Sequence, residues 1–204
     1  MCLVATEDAL SEAVACKLLA KVNLAGHQLT PLRRNGFGYL KSNFGKFTNA
    51  AKNGRRVFML TDLDNRDCAP SLVAEWTAGV VLPYGFLFRV AVREVESWLI
   101  ADRNGFAKFL GISPAKISND IEAIPDPKKY LLHLAEKAKA KVKQDLLPRK
   151  GTLAIQGFGY NERLTEFVEE FWSPDSAGAA SPSLSKTIAR IDTWVSAIPR
   201  NAKA

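Results

Sequence analysis

Residues 56–65 read RVFMLTDLDN and form the clearest strand in this sequence of 204 residues. The four residues 57–60 are apolar without interruption, which is typical of a parallel strand buried on both faces. The apolar run is followed by Asp62, Leu63 and Asp64. The stretch therefore predicts a central strand of a parallel sheet, with two carboxylates where that strand ends.

Similar segments flank this strand along the chain. Residues 2–6 (CLVAT) end at Glu7, an extended segment is predicted near residues 27–32, and residues 86–92 (FLFRVAV) run into REVES at 93–97. The segments between them have apolar residues at helical spacing, as in ALSEAVACKLLAKV at 9–22. This alternation predicts an α/β fold with a Rossmann-like, mainly parallel sheet of about four strands flanked by helices.

The strand signal fades after about residue 112, so we divide the chain into an α/β domain at 1–111 and a helical region at 112–204 packed on it. Helices are predicted within 112–124, 127–143, 161–172 and 183–198, and the small-residue segment SPDSAGAASPS at 173–183 is predicted to be a loop.

The composition is that of an ordinary globular protein, with 47% hydrophobic and 24% charged residues. Its net charge of +7 favours a polyanionic partner, because clustered cations release counterions when they bind nucleic acid. The opening MCLVATED lacks a signal peptide, and no apolar run approaches the roughly 18–20 residues of a membrane span. We expect a cytoplasmic protein without a membrane partner.

Acidic residues follow three of the predicted strands. Because the carboxyl ends of parallel strands meet at one edge of a sheet, Glu7 and Asp62 should lie close together there, with Glu94 or Glu96 completing the cluster. Side chains alternate along an extended chain, so Asp64 should point the same way as Asp62. Such a cluster fits Mg²⁺ or Mn²⁺. Helix capping and turn chemistry are the alternative explanation for each acid.

On these residues the sequence resembles the TOPRIM domain of topoisomerases, primases and OLD-family nucleases. Glu7, in LVATEDALSE, stands where that domain has a glutamate after its first strand, and Asp62 and Asp64, in FMLTDLDN, stand at its DxD motif. Glu94 and Glu96, in VREVESWLIAD, stand where OLD-like nucleases have additional metal ligands. The resemblance covers residues 1–110.

The sequence departs from the TOPRIM pattern at two positions. The glutamate is usually followed by glycine, but Asp8 stands here, and the further acid of the pattern is best matched by Glu12. The resemblance implies that Glu7, Asp62 and Asp64 bind metal, that Glu94, Glu96 and Glu12 are additional ligands, and that the acids of the cluster are catalytic.

The function that we expect is a Mg²⁺- or Mn²⁺-dependent nuclease, with DNA favoured over RNA as its substrate. Arg93 is the candidate to stabilise charge on the transition-state phosphate, with a structural salt bridge as its alternative role. The resemblance further implies an effector of phage or plasmid defence with an ABC-type or AAA ATPase partner, and self-association is left open. A non-catalytic nucleic-acid-binding or regulatory subunit is the main alternative. A small-molecule phosphatase is disfavoured because the DxD follows a later strand.

A basic segment interleaved with aromatic residues lies between the first and third predicted strands. Aromatic side chains among cations can stack on unpaired bases, although they can equally form the apolar face of a helix. The predicted nucleic-acid-binding residues are Arg33, Arg34, Lys41, Lys46, Arg55 and Arg56.

Overall fold

The computed structural model describes residues 1–22, 28–33 and 36–196. Its centre is a sheet of four parallel strands in the order β2-β1-β3-β4. The strands are β1 (Cys2–Thr6), β2 (Leu29–Arg33), β3 (Arg56–Asp62) and β4 (Phe86–Ala91). The predicted α/β class, the parallel sheet and its four strands are confirmed.

Helices cover both faces of the sheet and make up most of the second half of the chain. The helices of the first half are α1 (Ala9–Lys21), α2 (Gly36–Ser42), α3 (Phe44–Lys52), α4 (Ala69–Thr77), α5 (Val95–Ala101) and α6 (Arg103–Leu110). Those of the second half are α7 (Pro127–Ala135), α8 (Ala140–Leu146), α9 (Tyr160–Glu170), α10 (Pro174–Ala180) and α11 (Pro182–Ser196).

The alternation of side chains along the strands divides the core into two clusters. Met59 and Phe88 face α2, α3 and α4, whereas Phe58 and Leu87 face α1, α5 and the helices of the second half. Because both faces are covered, β3 is apolar at consecutive positions, as the sequence predicts.

The helical second half is packed on the α/β part through buried tryptophans. The indole nitrogen of Trp98 donates to Ser183 Oγ at 2.7 Å, and that of Trp172 donates to the carbonyl of Trp98 at 3.1 Å. Helix α1 also packs directly against α9. One cluster of buried apolar side chains therefore continues from residues near the N-terminus to α11.

Two predicted segments were assigned wrongly. Residues 112–124 form a short 3-10 helix at Pro114–Lys116 followed by turns, in which Ser118 Oγ and Asp120 Oδ1 accept backbone hydrogen bonds that a helix would otherwise use. The predicted loop at 173–183 contains α10. Ser173 caps this helix through the Ser176 N–H, and Pro174 stands at its first position, where proline is well tolerated.

Within the described ranges, no helix combines the length and the apolar character required to cross a bilayer.

Candidate metal centre

The parallel register brings three chain segments with acidic residues to the same edge of the sheet. Ala5 of β1 pairs with Met59 of β3, and Asp62 pairs with Ala91 of β4. Glu7 therefore follows β1 beside the end of β3, while Glu94 follows β4 beside Asp62.

Glu7 is fixed against the end of β3 by two hydrogen bonds. Its Oε1 accepts one from the Thr61 hydroxyl and one from the Asp62 backbone N–H, the latter at 3.0 Å. Burial raises the pKa of Glu7, and the negative charges of Asp64 and Asp8 add to this effect against the two hydrogen bonds. The structure thus holds a carboxyl group that resists ionisation beside a second acid.

Asp62 joins β3 to the start of α5. Its Oδ1 accepts a hydrogen bond from the Val95 N–H at 3.0 Å, at the first residue of that helix. Burial raises the pKa of Asp62 well above its usual value, and the charges of Glu96 and Glu7 raise it further. Glu96 and Glu7 therefore lie close enough to Asp62 for their charges to oppose its ionisation.

Glu94 and Glu96 are connected to α7 and α9. Glu94 Oε2 accepts from the Lys128 N–H at 2.9 Å, and burial together with the charge of Glu96 raises the pKa of Glu94 to about 7. Glu96 is 6% exposed and accepts from the Tyr160 hydroxyl at 2.9 Å, with the Lys128 ammonium 3.9 Å from the same Oε1 atom. Burial raises the pKa of Glu96 despite these contacts.

Asp64 reaches this edge by a different backbone path from the one predicted. It lies beyond the end of β3 with φ of 51°, a left-handed conformation that aspartate tolerates better than most residues, so the alternation of an extended strand does not apply to it. Its side chain is 46% exposed, with one oxygen 3.9 Å from the Arg66 guanidinium.

Arg93 holds the turn that contains Asp64. One of its terminal nitrogens donates to the carbonyls of Asp64 at 3.1 Å and of Arg66 at 2.8 Å. Arg93 and Asp64 are therefore brought together, and the described contacts of Arg93 position the turn after β3.

Asp8 and Glu12 belong to the first turn of α1. Asp8 caps this helix, since its Oδ1 accepts from the Ser11 N–H at 2.8 Å, which gives a structural reason for the acid that stands at the usual glycine position. Glu12 lies one turn further along; burial raises the pKa of the Cys16 thiol, and the charge of Glu12 adds to this effect.

The residues at this edge fit a hard cation in chemical type. Oxygen ligands from carboxylates are what Mg²⁺ prefers, and buried acids without a positive partner are destabilising unless they stay protonated or bind a cation. Within residues 1–22, 28–32 and 36–196, no lysine or arginine lies at ion-pair distance from Glu7, Asp62 or Glu94. In the same ranges, no three acidic, histidine or cysteine side chains converge closely enough to enclose a metal ion.

The predicted nucleic-acid-binding residues are divided between the two ends of the sheet. The backbone of Arg33 ends β2 at the carboxyl edge, opposite Thr6, whereas Arg55 and Arg56 lie at the start of β3, where Arg56 pairs with Cys2, about 13 Å away along the strands at 3.3 Å per residue. Lys41 is ion-paired with Glu75, and Lys46 is exposed on α3. Arg34 lies outside the described residues.

Lys128 and Tyr160 were not identified as site residues from the sequence. Each contacts an acid that is more than 30 positions away along the chain, and neither stands in a motif. The cap formed by Asp8 could have been found, because an aspartate directly before an apolar helical pattern is a common helix start.

Comparisons with family models, curated proteins and solved structures each found no match to this chain.

Proposed function

We propose that this protein is a divalent-metal-dependent nuclease, with DNA favoured as the substrate, whose active site is the acidic carboxyl edge of the sheet. The observation that carries the proposal is the meeting of Glu7, Asp62 and Glu96 at this edge, where Glu7 accepts from the Asp62 N–H and where burial and the charges of Glu96 and Glu7 raise the pKa of Asp62. Three strand ends supply acids to one place, and a divalent cation would remove the repulsion between them.

In this proposal, Glu7 and Asp62 hold the cation, with Asp64 and Glu96 as the further ligands. Mg²⁺ or Mn²⁺ would supply Lewis-acid activation of the phosphodiester and of the attacking water. Glu94 is the candidate general base, because a pKa of about 7 leaves it divided between its two protonation states at neutral pH.

Two cationic side chains have separate roles in the proposal. Lys128 lies beside Glu96 and offers a positive charge to the phosphate of a bound substrate. Arg93 keeps the turn at Asp64 in place through its two carbonyl contacts.

The first experiment measures cleavage of supercoiled plasmid and of circular single-stranded DNA as Mg²⁺ or Mn²⁺ is added. We expect nicking that is lost in the Asp62→Asn and Asp64→Asn variants, because both acids are proposed ligands. Asp192→Asn, an exposed position on α11, is the matched control and should cleave normally. Full activity in both site variants would contradict the mechanism.

A non-catalytic nucleic-acid-binding subunit is the second candidate. It is favoured by the protein contacts that Glu94 and Glu96 already have with Lys128 and Tyr160, which give both acids a structural role. Calorimetric titration with Mn²⁺ separates the candidates, because the nuclease requires metal binding that Asp62→Asn abolishes. An ATPase partner, as the TOPRIM resemblance implies, would be compatible with either candidate.

A further inference from the structure

A groove lies along β4, the strand at one end of the sheet order, where α4 and α11 pack on its two sides. The groove contains two cavities of about 480 and 520 Å³, which share Val73, Phe88 and Arg89 in their walls. Each cavity has the size of a small-ligand pocket. Leu63 and Arg93 line the second cavity, so the groove ends beside the candidate metal centre.

Arg89 lies at the junction of the two cavities, in the middle of a strand that is otherwise apolar. Its Nε donates to Thr187 Oγ1 of α11 at 3.1 Å. Arg190, one helical turn beyond Thr187, lines the first cavity together with Arg89. Burial and the nearby charge of Arg190 both lower the pKa of Arg89.

Guanidinium groups that lie near each other form a favourable site for an anion such as a phosphate. Among the described residues, no carboxylate lies at ion-pair distance from Arg89, Arg190 or Lys186. Lys186 lies one turn before Arg190 on the same face of α11 and lines the second cavity. The two acids in that wall are Asp67 and Glu122, and Glu122 is occupied by hydrogen bonds from the Ser181 hydroxyl and the Ser183 N–H.

We propose that this groove binds a single-stranded polynucleotide and leads its backbone to the acidic edge of the sheet. Arg89, Lys186 and Arg190 contact successive phosphates, and the ring of Tyr84, 56% exposed in the wall of the first cavity, stacks on a base. The proposal rests on the proposed nuclease function for the choice of ligand. It adds a binding path formed by β4 and α11, whose walls do not include Lys41, Lys46, Arg55 or Arg56.

The test is fluorescence anisotropy of labelled oligothymidylate and oligouridylate, measured in EDTA so that binding is separated from cleavage. We expect the double variant Lys186→Glu, Arg190→Glu to bind at least about tenfold more weakly than the parent, with a salt dependence reduced by about two phosphate contacts. Both side chains are exposed, so the fold should persist. Lys137→Glu, Lys141→Glu is the matched control, with the same change of net charge elsewhere on the surface, and should bind normally.

The outcomes for the groove and for the nuclease are distinguishable. Binding that is lost only in the groove variant supports the proposal, whether oligothymidylate or oligouridylate binds more tightly. The same result supports it even if neither Mg²⁺ nor Mn²⁺ produces cleavage. Absent binding by the parent protein, equal binding by the groove variant, or stronger binding of a labelled DNA duplex measured under the same conditions overturns it. Cleavage that is unaffected by the groove variant would reject the groove and leave the metal centre standing.

Discussion

At the scale of single residues, the acids at the carboxyl edge of the sheet are fixed by hydrogen bonds and also lie close to one another. Hydrogen bonds from Thr61, Val95 and Tyr160 fix one oxygen each of Glu7, Asp62 and Glu96. These contacts favour the ionised forms, while burial and mutual repulsion favour the neutral forms. The pKa values of all three acids rise, so burial and repulsion dominate.

Glu94 gives a prediction for the pH dependence of stability in metal-free protein. With a pKa of about 7 in the fold against 4.5 for an ordinary glutamate, the folded state binds more protons between these values. Its contribution to stability is therefore complete below about 4.5 and is lost as the pH rises through about 7. We expect the thermal midpoint in EDTA to fall across this window.

The measurement is calorimetric unfolding at several pH values, repeated with Glu94→Gln. This variant keeps an oxygen acceptor for the Lys128 N–H and should show a shallower decline, while Asp192→Asn should decline as the parent does. A thermal midpoint that rises across the window would contradict the assignment. Added Mg²⁺ should flatten the decline if the acids bind it.

The residues of the candidate site that directly follow a strand could be predicted from the sequence. Glu7 and Asp62 follow apolar runs, and the register of a parallel sheet then brings them together. Asp64 was predicted from strand alternation, but its left-handed backbone follows from the turn that Arg93 holds. Tyr160 could not be predicted, because its contact with Glu96 depends on how α9 packs, across 64 positions of sequence.

At the scale of elements, local hydrogen bonding decided which segments became helices. The long apolar pattern after β4 is divided into the two helices α5 and α6 at Asp102. This side chain accepts from the Gly105 N–H at 3.1 Å and from the Ser173 N–H at 2.9 Å, so it caps α6 and also contacts the start of α10. Periodicity predicts the apolar face but not such a break, because the second partner lies far along the chain.

The connection between α8 and α9 depends on a close approach at Gly157. A Cβ atom there would lie 2.2 Å from the Asp145 carbonyl oxygen, and the Gly157 N–H donates to the Leu146 carbonyl at 2.8 Å. We expect Gly157→Ala to lower the free energy of unfolding by about 2 kcal/mol or more, since backbone rather than a flexible side chain must move. Urea denaturation provides the measurement.

Gly45 is the matched control for this substitution. It lies inside α3, where an added Cβ would have open space, so Gly45→Ala should stabilise the protein by about 0.5–1 kcal/mol through reduced backbone freedom in the unfolded chain. Equal effects of the two substitutions on the free energy of unfolding would show that the close approach of Gly157 to the Asp145 carbonyl does not destabilise the alanine variant.

At the scale of the whole molecule, the helical second half covers one face of the sheet and supplies contacts to the acidic edge. The same apolar cluster includes Val14 of α1, Trp98 of α5 and Phe167 of α9. Lys128 and Tyr160, which contact Glu94 and Glu96, also come from the second half. The sheet and the acidic edge are therefore completed by residues beyond the α/β part.

We predict that a fragment of residues 1–111 does not reach a stable fold alone. It would expose the faces of α1 and α5 that α9, α10 and α11 cover, and burial of such apolar area is the main favourable contribution to folding. Circular dichroism and amide NMR spectra of the fragment, compared with those of the intact chain, provide the test. A well-dispersed NMR spectrum from the fragment would show instead that the two halves fold independently.

The packing of α1 on α9 also sets an order of events during synthesis. Lys17 of α1 donates to the Glu169 carbonyl at 2.7 Å, although 152 positions separate the two residues. At ribosomal rates of about 5–20 residues per second, the apolar side of α1 waits roughly 8–30 s for its partner to be made. The first helix of a nascent chain should therefore bind chaperones that recognise exposed hydrophobic segments. The chaperone should be released after α9 has been translated.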